Sequence, residues 1–184
     1  FEDRHGELGL SALGYQFIAG LLHSAPALAA ITNPTVNSYK RLSAPPTLSG
    51  ATWSPSSISY TGNNRTHMIR IPDAGRLELR LADGAVNPYL LQAAVLAAGL
   101  DGIGRKADPG PRLDINMYTE GDKAPDVPKL PHNLLDALRA LEASDVMRTA
   151  LGGFLPSYLK MKHSEWRSFT SHLTGWEREM TLDC

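Results

Sequence analysis

Thr66-His67-Met68-Ile69-Arg70-Ile71, then Pro72-Asp73-Ala74-Gly75, then Arg76-Leu77-Glu78-Leu79-Arg80-Leu81: two extended runs around a turn set the fold class of this chain. The second run alternates strictly, and a strand sends alternate side chains to opposite faces. Arg76, Glu78 and Arg80 therefore share one face, while Leu77, Leu79 and Leu81 pack on the other. Pro, Asp and Gly between the runs are turn chemistry, so an antiparallel hairpin is expected, with Arg70 and Arg76 close across the turn. Between Asn63 and Arg80 there are four arginines and one glutamate. One reading is a salt-bridged solvent face, which stabilises little. The other is a site for phosphate and metal. Arginine, not lysine, fills every basic position of the stretch, and its rigid planar fork suits phosphate and carboxylate. A glutamate among arginines can also hold a divalent metal that bridges nucleotide phosphates.

Outward from this segment, composition sets the bounds. The 184 residues, 42% hydrophobic and 20% charged, describe an ordinary globular protein able to bury a sizeable core. A net charge of −1 supplies no global field for nucleic acid or an anionic membrane, so neither is expected as a partner. Apolar runs such as Tyr89–Leu100 are too short to span a bilayer. The charged start Phe1–His5 does not read as a signal peptide. One cysteine, Cys184, fits a reducing cytoplasm and excludes an internal disulfide. The six histidines show no metal-binding spacing, and His67 reads as a core or surface residue. P-loop, GxGxxG and CxxC patterns are all missing.

Along the chain, Ser11 caps an amphipathic helix expected to end near Pro26. Leu42–Asn64 has no charged side chain and reads as a long binding loop with short strand pieces. Asn87-Pro88 opens a helix that stops at Gly102 or Gly104. Residues 105–131 read as a polar, proline-rich surface segment. Asn133 caps a helix carrying Leu134, Leu135, Leu138 and Leu141. A last helix, about Ser157 to Met180, repeats Leu159, Trp166, Leu173 and Met180 at sevens, with Phe169 and Trp176 beside them. That stripe reads as a packing seam.

Four motifs in order carry a resemblance to the glutamine synthetase family. They are Asn33-Pro34-Thr35-Val36-Asn37-Ser38-Tyr39-Lys40-Arg41-Leu42, Asn64-Arg65-Thr66-His67-Met68-Ile69-Arg70-Ile71-Pro72, Arg76-Leu77-Glu78-Leu79-Arg80, and Asp83 to Leu90 continuing through Ala97 to Ile103. The resemblance is nearest to the branch of γ-glutamylmethylamide synthetase and class III glutamine synthetase-like proteins. Gly50-Ala51-Thr52-Trp53, Thr61–Arg65 and Thr181-Leu182-Asp183-Cys184 point there.

The resemblance implies an α+β fold, a partial antiparallel β-barrel with an arginine-lined polar side and helices outside. It implies ATP-dependent ligation of the glutamate γ-carboxylate to ammonia or a small primary amine through a γ-glutamyl phosphate. ATP and Mg2+ (or Mn2+) would be the cofactors, and a ring-type homo-oligomer the full-length state. Arg41 and Arg80 match the arginines that hold glutamate. Arg65 matches the catalytic arginine at the γ-phosphate, Arg70 and Arg76 match nucleotide-phosphate contacts, and Glu78 matches a metal ligand.

Two departures stand out. The span Leu42–Asn64 lacks the flap glutamate of typical members, so the proton acceptor or the nitrogen donor differs. Asp73-Ala74-Gly75 also lacks a lysine that some members place near the nucleotide. Tyr118 sits near a tyrosine that some bacterial members adenylylate, but Thr119-Glu120 departs from that motif, and an ordinary exposed tyrosine is expected.

The family's paired glutamates, metal-binding histidine and amino-terminal domain would all precede Phe1. The chain is thus expected to be the carboxy-terminal portion of a catalytic domain, with active-site elements over 1–104 and a helical part over 105–184. Alone it should be inactive, and its exposed strand edges should make it associate. The alternative is a non-catalytic homologue that binds a nucleotide or a partner.

Overall fold

Ser11 accepts a hydrogen bond from the Gly14 backbone N–H at 3.3 Å and starts α1, Ala12–Thr32. This computed structural model describes residues 1–44 and 54–181. The loop motif Gly50–Trp53 and the ending Leu182–Cys184 lie outside the described residues. The chain is α+β and rich in helix. After α1 come α2 (Ser38–Leu42), β1 (Tyr60–Thr61), β2 (Ile69–Arg70), β3 (Glu78–Leu79), α3 (Pro88–Gly104), α4 (Leu134–Ala143), α5 (Asp145–Leu151), α6 (Phe154–Thr170) and α7 (Gly175–Thr181).

α1 does not end near Pro26; it runs through the proline. Proline removes one i→i−4 hydrogen bond and normally breaks a helix. Here Ala25, Ala27, Leu28, Ala29, Ala30 and Ile31 are all buried, and burial of that whole turn-and-a-half offsets the lost bond. α1 is the central rod of the core, packed against α3 and α4. At its crossing with α3 the two backbones nearly touch. A Cβ on Gly20 would stand 2.0 Å from the Ala98 carbonyl oxygen, and one on Gly102 would stand 2.2 Å from that of Gln16.

The caps at Asn87 and Asn133 form as expected. The Asn87 side chain accepts from Tyr89 and Leu90 backbone N–H groups, and that of Asn133 accepts from Asp136. α5 has no counterpart in the sequence reading. The stripe at sevens is likewise not one helix, because α6 stops at Thr170 and α7 restarts at Gly175. Thr174 and Glu177 form a reciprocal capping box there, the Thr174 N–H donating to Glu177 at 2.7 Å and the Glu177 N–H to Thr174 at 3.2 Å. Leu159 and Trp166 pack on the core, whereas Leu173 (54% exposed), Trp176 (68%) and Met180 (62%) face outward. Only the first half of the stripe is a seam within this chain.

The strands form an open three-stranded sheet in the order β1-β2-β3, not a closed barrel. β2 and β3 are antiparallel, but β1 and β2 are parallel. Each strand is two residues long, so the Gly62–Met68 connection can loop back between parallel neighbours without a helical crossover. The register pairs Ile69 with Leu79 and Arg70 with Glu78. Arg70 thus meets the glutamate, not Arg76, because the Pro72–Gly75 turn with its flanks consumes Ile71 to Leu77. Leu77 and Leu79 pack against the core and Leu81 is fully buried, as the alternation predicts. Among the described residues no helix is long and apolar enough to cross a membrane.

Candidate active site

The β2–β3 register gathers charge around one carboxylate. Glu78 Oε2 accepts from Arg70 Nη1 at 2.6 Å, and its Oε1 accepts from Arg80 Nε at 3.0 Å. These guanidinium groups are 12% and 15% exposed and the carboxylate 31%. A network of this kind is screened far less than an exposed ladder. The rest of the Arg70 fork donates to Asn63, through Nε at 2.9 Å and through Nη2. Arg80 Nη1 donates to the Arg65 carbonyl, so the Gly62–Met68 connection is fastened to β3. Arg65 itself is exposed.

Arg41 arrives from α2 and donates through Nη1 to the Leu81 carbonyl at 3.3 Å, which also accepts from Asn33 Nδ2 at 3.0 Å. One carbonyl therefore ties the end of α1, the α2 arginine and the end of β3 together. Burial, with the charges of Arg65 and Arg70 adding to it, holds the Arg80 pKa below its ordinary value; Glu78 and Tyr118 oppose that. Arg76 does not join the group. It lies exposed at the turn, paired with Asp73 at 3.5 Å.

Sequence reading missed Asn63 and misplaced Tyr118. Tyr118 is half-buried, its hydroxyl donates to the Ser54 carbonyl at 3.1 Å, and the charges of Arg80 and Arg41 act on its phenol. Burial raises its pKa; those two cations pull the other way. His67 is a core residue, as expected. Its Nε2 lies 2.9 Å from the Ile115 carbonyl and its Nδ1 2.9 Å from Ser59 Oγ. A carbonyl can only accept, so Nε2 carries the proton and Ser59 donates to Nδ1.

Among the described residues no group of three or more His, Cys, Asp or Glu side chains could hold a metal. Glu78 is one possible donor, with both oxygens already accepting from arginines. The described residues therefore furnish at most a single carboxylate ligand, short of the set that a hard cation needs. What the cluster can do unaided is bind anions, because guanidinium groups outnumber the carboxylate.

Guanidinium groups on a polar sheet face, backed by helices, define an α+β domain with chemistry suited to phosphate and carboxylate. The chain belongs to the glutamine synthetase family: the pattern of the glutamine synthetase catalytic domain matches residues 1–181. A glutamine synthetase of Rhizobium leguminosarum bv. phaseoli is 60% identical over 100% of this chain and 42% of its own length. A glutamate–methylamine ligase of Methyloversatilis universalis is 51% identical over 98% of this chain and 41% of its own. A solved GmaS/ADP complex superposes with a TM-score of 0.93 at 62% identity, covering 100% of this chain and 42% of that one. The chain thus spans well under half the length of the relatives it matches.

Proposed function

We propose that this chain is the carboxy-terminal portion of the catalytic domain of an ATP-dependent ligase joining the γ-carboxylate of glutamate to ammonia or a small primary amine. Residues 1–104 would supply its active-site wall and 105–184 its helical support. The observation that carries this reading is Glu78 gripped between Arg70 and Arg80 beside Arg65 and Arg41. Both kinds of relative named above perform, by name, amide-forming chemistry on glutamate or its equivalent.

In the proposed reaction a glutamate γ-carboxylate oxygen bonds to the γ-phosphorus of ATP and the bond to the β-phosphate bridging oxygen breaks, releasing ADP. The amine nitrogen then bonds to the acyl carbon, phosphate leaves with the carbon–oxygen pair, and the amine loses a proton. Arg41 and Arg80 orient glutamate, Arg65 neutralises charge on the phosphoryl oxygens, and Arg70 holds nucleotide phosphate. Arg76, out on the turn, reaches a nucleotide only at the rim. Glu78 keeps the forks of Arg70 and Arg80 in plane and offers one oxygen to Mg2+ or Mn2+, the remaining ligands coming from outside the described residues. The acid-free stretch Leu42–Asn64 favours a nitrogen donor that is not held by a flap carboxylate, such as methylamine.

The test is phosphate release and amide formation by the full-length protein with glutamate, ATP and either ammonia or methylamine. Turnover is expected, with the glutamate KM rising at least about tenfold in Arg80→Lys, because a point-charge ammonium cannot reproduce a planar fork. The 184-residue chain alone should give no product. Product from that chain would contradict the partial-site reading, and a full-length protein that turns over no amine would favour a non-catalytic, nucleotide-binding homologue.

A further inference from the structure

The segment 113–118 is bound alongside the charged cluster by a row of hydrogen bonds that its polar, proline-rich sequence does not announce. The Leu113 N–H donates to the Tyr60 carbonyl at 3.2 Å, and Thr61 Oγ1 donates to Asp114 Oδ1 at 2.6 Å. The Ile115 carbonyl accepts from both Asn64 Nδ2 at 3.0 Å and His67 Nε2 at 2.9 Å. The Met117 N–H donates to Thr66 Oγ1 at 3.0 Å. Three of these anchors, Asn64, Thr66 and His67, flank Arg65 in the connection whose carbonyl holds Arg80.

A segment fastened at four successive points to β1 and to that connection is a strut. Its last residue, Tyr118, is delivered beside Arg80 and Arg41 with its hydroxyl on the Ser54 carbonyl. A phenol has a rigid body with only two rotatable side-chain bonds, so it sets a neighbour's position at low entropic cost.

Resting on the proposed ligase reading, we infer that Tyr118 is a positioning residue for glutamate, its ring and hydroxyl holding the Ser54 backbone and the Arg41–Arg80 pair in one fixed geometry. It touches no reacting atom. It acts through the two arginines assigned to the glutamate carboxylates, and so it should govern glutamate affinity and leave the nucleotide side, at Arg65 and Arg70, nearly untouched.

The experiment is the steady-state kinetics of full-length wild-type enzyme, Tyr118→Phe and Thr66→Val, each with glutamate, ATP and amine varied in turn. Tyr118→Phe keeps the ring and deletes only the hydrogen bond, a loss corresponding to about 2- to 10-fold. The glutamate KM is expected to rise by that factor while the ATP KM stays within about twofold. Thr66→Val, which cuts the strut one residue before Tyr118, is expected to shift the same parameter in the same direction. An unchanged glutamate KM in Tyr118→Phe, or equal shifts for glutamate and ATP, overturns the inference while leaving the ligase reading intact. Absence of glutamate binding and turnover in the wild type overturns the ligase reading, and the positioning role with it.

Discussion

His67 sits with no exposed surface and with both ring nitrogens engaged, and burial lowers its pKa from the ordinary 6.5. The hydrogen bond to Ile115 and the nearby Asp114 work against burial without overcoming it. A base whose folded pKa is depressed takes up more protons when unfolded. Stability therefore falls as pH drops below about 6.5, by up to about 1.4 kcal/mol per pH unit until the folded pKa is reached. Chemical denaturation of the full-length protein between pH 8 and 5 should show this slope. His67→Gln should be less stable at pH 8 yet flatter across the window, and equal slopes in the two proteins would contradict the assignment. At this scale the charged face was readable: alternation alone placed Glu78 with Arg80 and opposite Leu79. Tyr118 was not, because nothing in Asn116-Met117-Tyr118 reveals that hydrogen bonds to residues some fifty positions earlier bring it to the arginines.

Between elements, the α1–α3 crossing depends on bare backbone at Gly20 and Gly102. Alanine is the better helix former by up to about 1 kcal/mol. In Gly102→Ala, however, the new methyl would meet main-chain atoms, which cannot rotate aside, so overpacking should win and the substitution should cost about 1–3 kcal/mol. A urea midpoint that rises in Gly102→Ala would refute the contact. Caps were the most legible feature of the elements: Ser11, Asn87 and Asn133 open helices with the hydrogen bonds their side chains allow. The capping box at Thr174 and Glu177 carried an equally local signal, but the seven-residue repeat of large apolar side chains masked it. Pro26 misled for the opposite reason. A local rule about helix ends yielded to burial of the turn-and-a-half beyond it, which only the packed structure reveals. The β1–β2 pairing lay beyond periodicity altogether, since strands of two residues have no period to read.

Over the whole molecule, charge is distributed unevenly. The chain as a whole carries −1, yet Arg41, Arg65, Arg70 and Arg80 surround a single carboxylate at the site. No side chain between Leu42 and Asn64 carries charge, so that stretch cannot neutralise the excess. Four guanidinium groups against one carboxylate make a local positive field within a globally near-neutral protein, and its reach is about a Debye length, near 8 Å at physiological ionic strength. Polyanions should therefore meet this surface faster than random collision allows, and the advantage should fade as salt shortens that length. Stopped-flow association of ATP with the full-length protein is expected to slow steeply between 20 and 300 mM salt, with a shallower slope in Arg65→Gln. A rate indifferent to salt would show that the field does not reach solvent. The pairing of Glu78 with Arg70 and Arg80 thus has a consequence in time as well as in structure: the one carboxylate of the cluster holds it together without cancelling the attraction by which its ligands arrive.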